Sequence, residues 1–147
     1  MQREEMEIIR QMRSGKRLNV SRIARDLHLP ISTVSDRIKR VEKKYVLKHS
    51  ALLNNQSTGY FASAVLAIKA SPEKKPEVLS FLAEQSCINS IYHTNSGYNF
   101  LVEAIFKDNL ALLSWIEGIK FRFGLEVVHF PILKVEKKET FVPELLK

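Results

Sequence analysis

The sequence predicts an α+β fold, with an N-terminal winged-type helix-turn-helix domain followed by a C-terminal ferredoxin-like βαββαβ domain. Residues 1–50 carry three short amphipathic helix patterns, whereas residues 61–147 alternate between strand and helix patterns. The polar run NNQSTG lies between them, so we expect domains over 1–50 and 61–147 joined by a hinge over 51–60. Charge divides at the same place: residues 1–50 hold 13 Lys or Arg against 6 Asp or Glu, and the rest hold 10 against 10.

Local signals place the three N-terminal helices. Glu4 and Glu5 begin the first, whose apolar stripe stops at a Ser-Gly pair. Asn19 is a favourable N-cap for the second helix. A short turn, His28–Pro30, then leads to a third helix predicted from about Ile31 to Tyr45.

The third helix has two contrasting faces. At about 100° per residue, Val34, Ile38 and Val41 fall within about 60° of one another and form a buried stripe. The opposite face is short and polar at its start and basic towards its end, which suits a helix that enters the major groove of DNA between phosphates. The candidate DNA-binding residues are Arg17, Ser21, Arg22, Ser32, Thr33, Ser35, Asp36, Arg37, Lys39, Arg40 and Lys43.

An alternative to DNA binding is that this face is an ordinary solvent-exposed helix surface. Three helices, a short turn and the entire net charge in one segment favour double-stranded DNA as a partner. The same basic surface would also serve an architectural protein that bridges DNA with little sequence preference. Ser32, Ser35 and Asp36 favour sequence-specific binding because they could contact base edges.

The remaining patterns give the order β-α-β-β-α-β. We predict helices over Pro76–Glu84 and between Asp108, an N-cap, and Gly124. A further strand and hinge is predicted over Val46–Leu53. The sheet strands are predicted over Phe61–Ala70, Ile88–Thr94, Tyr98–Phe106 and Val127–Val135.

Helices on one side of such a sheet leave its other face bare. The apolar side chains expected there are Phe61, Val65, Ala67, Leu101, Ile105 and Phe130. A bare apolar face is typical of an interface. We therefore expect a homodimer in which two sheets meet face to face.

The run NVSRIARDLHLPISTVSDRIKRVEKKYVLK resembles the helix-turn-helix of the Lrp/AsnC family of transcriptional regulators. The positions that match or are conservatively replaced are Leu29, Thr33, Val34, Arg37, Ile38, Lys39, Arg40, Val41, Glu42, Val46 and Leu47. His28 stands where the family has a turn glycine, and Pro30 replaces the usual N-cap serine, which leaves Ser32 as a possible cap. Tyr45 replaces the glycine that follows the recognition helix.

The resemblance implies a DNA-binding regulator whose C-terminal domains pair, often building octamers from dimers. It also implies an amino-acid effector near the turn between the second and third sheet strands. The corresponding residues here are Asn95, Ser96, Gly97, Tyr98 and Asn99. The acidic position of the family is Asn99 in this chain, so a carboxylate that could pair with an α-ammonium is missing.

The sequence also argues against several other classes. The four histidines lack metal-ligand spacing, the lone Cys87 fits a small buried side chain, and no phosphate-binding or nucleophile motif is present. We expect no cofactor, no metal and no catalysis, including tetrapyrrole decarboxylation, for which a His and Arg cluster is lacking. Without an apolar span or signal-like start, a cytoplasmic location without membrane contact is expected.

Overall fold

The computed structural model describes residues 3–15 and 17–142 and divides them into two compact units. One unit combines the described residues up to Leu52 with residues 136–142, and the other spans Leu53–Val135. The helical unit contains α1 (Arg3–Arg13), α2 (Val20–Leu27) and α3 (Ile31–Tyr45). The sheet unit contains a 3-10 turn (Gln56–Thr58), β1 (Ala62–Lys69), α4 (Lys75–Glu84), β2 (Ile88–His93), β3 (Phe100–Phe106), α5 (Asn109–Phe123) and β4 (Glu126–Pro131).

The three helices of the first unit pack around one apolar cluster. The predicted stripe of Val34, Ile38 and Val41 is buried against side chains of α1 and α2, among them Ile8 and Ile23. The predicted stripe of α3 is therefore confirmed. Burial of these side chains supplies most of the stability of such a small unit.

Both ends of α2 are fixed by local hydrogen bonds. The Asn19 side chain accepts a hydrogen bond from the amide of Arg22 at 2.9 Å, as expected of the N-cap. At the other end His28 takes the left-handed conformation, with φ 53° and ψ 42°. The Leu29 amide then donates to the carbonyl of Ala24 at 3.0 Å, which closes the helix and turns the chain towards α3.

Three expectations for this unit are corrected. Ser32 does not cap α3, because the helix starts directly after Pro30, whose extended backbone takes the N-cap place without a side-chain hydrogen bond. The strand predicted over Val46–Leu53 is not formed, since these residues have no strand to pair with. Residues 136–142, expected in the C-terminal domain, group instead with the helical unit. There Arg13 donates hydrogen bonds to the carbonyls of Glu139 and Phe141.

The second unit is a four-stranded antiparallel sheet with strand order β2-β3-β1-β4. Helices α4 and α5 cover one face, where Leu66, Phe100, Leu82 and Ile116 are buried together. This is the predicted βαββαβ arrangement, with helices on one side of the sheet. The last strand ends at Pro131 rather than Val135, and after it the Ile132 amide still donates to β1, at 2.8 Å from the Ser63 carbonyl.

The other face of the sheet carries the side chains predicted for it. Ala67 pairs with Leu101 of β3 and Val128 of β4, and Val65 pairs with Phe130. The aromatic members are exposed, with 70% of Phe61 and 56% of Phe130 accessible. Among the described residues, no helix is long and apolar enough to cross a membrane.

Candidate nucleic-acid interface

The outward face of α3 is open to solvent along its whole length. Its polar start and basic end lie on the side opposite the buried stripe, as the helical angles predict. The exposed members are Ser32, Asp36, Lys39, Arg40 and Lys43, while Thr33 and Ser35 are half-buried at the edges. The structure thus brings short hydrogen-bonding groups and long cations onto one surface, which can contact base edges and phosphates together.

Helix α2 and the segment before it add a smaller basic surface. Arg17, Ser21 and Arg22 are all exposed. Arg22 Nε lies 3.7 Å from the carboxylate of Asp26, an exposed pair that water or a phosphate can replace at little cost. The Asn19 side chain already accepts a hydrogen bond from the Arg22 amide. The amides that remain for a phosphate at this helix start are therefore those of Val20 and Ser21.

Arg37 lies elsewhere than the sequence prediction placed it. Its guanidinium turns towards α1, where Nη1 lies 3.4 Å from Oε2 of Glu4, and only 22% of the side chain is exposed. At about 140° from Ser32 on the helix, Arg37 borders the buried stripe rather than the outward face. It therefore holds α3 against α1, on the side of the helix away from the outward face.

A second contact between the same helices was not foreseen from the sequence. The Tyr45 hydroxyl donates to the Glu5 carboxylate at 3.1 Å, joining the end of α3 to the start of α1. The sequence indicates Glu4 and Glu5 as helix-starting residues, but their partners are more than thirty positions away and no local pattern identifies them. Beside them, the exposed Lys44 amine lies 4.8 Å from the Tyr45 ring, and a hydrogen bond with Tyr45 raises the pKa of Lys44.

The residues predicted for an effector form a compact loop between β2 and β3. Gly97 has φ 93°, which favours glycine, and the Thr94 amide donates to the Asn99 carbonyl at 3.1 Å. The Asn99 side chain points back into the sheet unit, where its Oδ1 accepts from the Ala70 amide at 2.7 Å. A cleft of about 300 Å³ opens beside this loop at the start of α4.

The structure adds two observations on chemistry. Within residues 3–15 and 17–142, no cluster of three or more His, Cys, Asp or Glu side chains could hold a metal ion. Cys87 packs against the sheet core, and partial burial raises the pKa of its thiol, which lowers its reactivity near neutral pH.

Comparison with known proteins agrees with this architecture. No protein-family model matches the chain. The leucine response regulatory protein LrpA of Mycobacterium tuberculosis superposes with a TM-score of 0.80 at 20% identity, over 97% of this chain and 100% of that one. The AsnC family regulator of Agrobacterium tumefaciens superposes with a TM-score of 0.83 at 18% identity, over 97% of each chain.

A curated relative is more similar in sequence. The HTH-type transcriptional regulator FL11 of Pyrococcus furiosus is 30% identical over 138 residues, which cover 92% of this chain and 91% of FL11. The chain belongs to the Lrp/AsnC family. This Lrp/AsnC protein is therefore a DNA-binding transcriptional regulator, and its relatives support the expectation that it is not an enzyme.

A further Lrp/AsnC neighbour bears on small molecules. A transcriptional regulator of Neisseria meningitidis, solved as a complex with L-Met, superposes with a TM-score of 0.87 at 17% identity. The superposition includes 97% of this chain and 96% of the neighbour's chain. At 17% identity, this similarity shows a shared fold.

Proposed function

We propose that this Lrp/AsnC regulator binds pseudo-palindromic operators in a sequence-specific manner, as a homodimer or a higher oligomer such as an octamer. The proposal rests mainly on the exposed face of α3. Its first half presents Ser32, Ser35 and Asp36 for base edges, and its second half presents Lys39 and Lys43 for the flanking phosphates.

The proposed base contacts are short side chains on a rigid helix. Hydroxyl groups can donate to or accept from several base edges, whereas the Asp36 carboxylate can accept from the cytosine amino group and is repelled by phosphate. Such a group lowers the affinity for DNA in general and raises the discrimination between sequences. An exposed aspartate among cations therefore supports specific recognition over simple charge attraction.

The bare face of the sheet supports the proposed homodimer. Val65, Leu101 and Phe130 form an apolar surface next to the exposed ring of Tyr92. The carboxylate of Glu103 lies on this face, and it accepts hydrogen bonds from the Ser90 hydroxyl at 2.7 Å and the Asn89 side-chain amide at 2.9 Å. Those bonds lower the cost of covering the carboxylate with a second sheet.

We further propose that an amino acid or related small molecule modulates DNA binding through the loop of residues 95–99. The loop borders the cleft at the start of α4, and the N. meningitidis neighbour was solved with L-Met. A ligand that changed the pairing of sheet units would also change the spacing of the two recognition helices.

A selection of random double-stranded DNA on the purified chain, at about physiological salt, tests sequence-specific binding, because non-specific binding is already weak there. We expect an enriched pseudo-palindromic motif with half-sites about one helical turn apart. Retained DNA without an enriched motif would contradict the proposal and favour an architectural, DNA-bridging role.

Sedimentation of the purified chain at micromolar concentration tests the oligomeric part separately. A dimer or a multiple of it is expected, because the bare sheet face is apolar. A monomer at that concentration would contradict the proposal that two sheets pair.

A further inference from the structure

The cleft beside the loop of residues 95–99 has a distinct chemistry. It opens where the first turn of α4 faces the end of β2 and the start of β3, entirely within the sheet unit. Its volume of about 300 Å³ is at the lower end of the range of small-molecule sites. The lining residues are Lys75, Pro76, Leu79, His93, Thr94, Asn99 and Phe100.

Asn99 presents a donor to this cleft. Its carbonyl oxygen Oδ1 accepts from the Ala70 amide at 2.7 Å, and its backbone amide donates to the Ile68 carbonyl at 2.8 Å. The first bond orients the carboxamide and the second holds the backbone, so the Nδ2 group is the part of the carboxamide left for a ligand.

The other polar groups of the lining include a cation and an aromatic ring. Lys75 adds an ammonium group, which within the described part of the chain makes no ion pair or hydrogen bond. The His93 ring packs edge-on against Phe100 at 5.2 Å between centroids. Glu73 and Glu77 are close to Lys75 in sequence but exposed, and neither lines the cleft.

The rest of the lining is apolar. Phe100 is buried at the start of β3, and Pro76 and Leu79 lie on the side of α4 that lines the cleft. An apolar chain of a few carbon atoms would remove the surfaces of Pro76 and Leu79 from water. Donors and a positive charge next to a small apolar surface match a carboxylate that carries a short aliphatic chain.

We propose that this cleft binds a small aliphatic carboxylate that lacks an α-ammonium group, such as an α-keto acid, in preference to the corresponding amino acid. An ammonium group beside Lys75 meets a like charge, and the carbonyl of Asn99 that could accept its hydrogen bond is already used by Ala70. This inference rests on the proposed modulation through the same loop and names the class of the ligand.

Three probes with the same isobutyl group test this preference by isothermal titration without DNA: the α-keto acid of leucine, L-leucine and isoamylamine. We expect the keto acid to bind at least about 10-fold more tightly than L-leucine, because the leucine ammonium meets the like charge of Lys75 and the Asn99 oxygen is already occupied. Isoamylamine is expected to give no binding heat, because it has an ammonium group and no carboxylate.

Two variants test the assigned groups. Asn99→Asp keeps an acceptor for the Ala70 amide but replaces the donor by a carboxylate oxygen, so the preference should reverse towards L-leucine. Lys75→Met keeps an apolar side chain of similar length and should weaken keto acid binding about 10-fold or more. The controls Asn109→Asp and Lys107→Met make the same charge changes at exposed positions outside the cleft.

Several results would overturn the inference: tighter or equal binding of L-leucine, binding of isoamylamine, no heat from any probe at millimolar concentration, or unchanged binding in both variants. Thermal unfolding of each variant verifies that it folds. DNA binding is measured separately by gel shift, so that a chain which binds the keto acid but no DNA would contradict the proposed function and leave this inference standing.

Discussion

The guanidinium of Arg37 lies 3.4 Å from the Glu4 carboxylate and joins the middle of α3 to the first turn of α1. Its Nε and Nη1 atoms are buried and make no hydrogen bond, so the Glu4 carboxylate balances the charge. The recognition helix is thus fixed against α1 by an ion pair on the side away from the proposed DNA surface.

Neutralising Glu4 should therefore destabilise the helical unit. In Glu4→Gln the partly buried guanidinium keeps its charge but loses the opposite charge, and we expect a loss of about 1–2 kcal/mol in the free energy of unfolding. Denaturant unfolding followed by circular dichroism measures this difference.

Asp26→Asn is the matched control for that substitution. Asp26 pairs with Arg22 at 3.7 Å, and both side chains are at least half exposed. Exposed pairs contribute little, so we expect a change within about 0.5 kcal/mol. Equal effects of the two substitutions would contradict the structural role assigned to Glu4.

The left-handed conformation of His28 gives a second stability prediction. A residue with a Cβ is strained at φ 53°, whereas glycine is not. We expect His28→Gly to stabilise the helical unit by about 0.5–1 kcal/mol and His28→Val to destabilise it, because β-branched residues tolerate this region least.

Gly124 supplies the converse case in the sheet unit. It ends α5 at φ 65°, and a Cβ there would lie 3.5 Å from Lys74 Nζ, so backbone strain rather than lack of space opposes a side chain. Gly124→Ala should cost about 1 kcal/mol. Thermal unfolding of all three variants measures these effects, and a stabilising Gly124→Ala would contradict the strain argument.

Local signals were sufficient for the helices of this chain. Asn19, Asp108 and Gly124 each act as the caps that the sequence predicts, because capping depends on a few neighbouring residues. The strand at Val46–Leu53 was wrong for the opposite reason. A short apolar segment suffices for a prediction, but a strand requires a partner edge that only tertiary structure provides.

The candidate site was less predictable because some of its contacts join residues that are far apart in the sequence. The outward face of α3 follows from helical geometry and needs no long-range information. The partners of Arg37 and Asn99, Glu4 and Ala70, lie about thirty positions away in the chain. Neither contact leaves a periodic signal, so the helical pattern indicates Arg37 as a DNA contact and does not reveal the hydrogen bond between Asn99 and Ala70.

A charge on the bare sheet face should disrupt the proposed homodimer. Phe130→Asp places a carboxylate among apolar side chains such as Val65, and burying it in a dimer would cost several kcal/mol. We expect sedimentation at micromolar concentration to show a monomer. Phe121→Asp, at a fully exposed position on α5, is the control and should leave the dimer intact.

If both substitutions left the dimer unchanged, the pairing surface would lie elsewhere on the chain. If both produced monomers, α5 would have to contribute to the interface as well. Only loss of the dimer in Phe130→Asp alone agrees with pairing through the sheets.

Substitutions on the two halves of α3 should change DNA binding in different ways. Lys43→Ala removes an exposed cation at the basic end and should weaken binding to all sequences about equally, with a salt slope lower by roughly one unit. Asp36→Ala should instead change which bases are preferred, and the loss of a negative charge should raise non-specific affinity.

Gel shifts at several salt concentrations, combined with selection of random DNA by each variant, distinguish these effects. Ser35→Ala and Arg40→Ala provide a second pair with the same division of roles. If all four substitutions merely scaled affinity, base edges would not be contacted by the first half of α3. The surface would then bind phosphates alone, as an architectural protein does, and the charge of Asp36 would have no role in recognition.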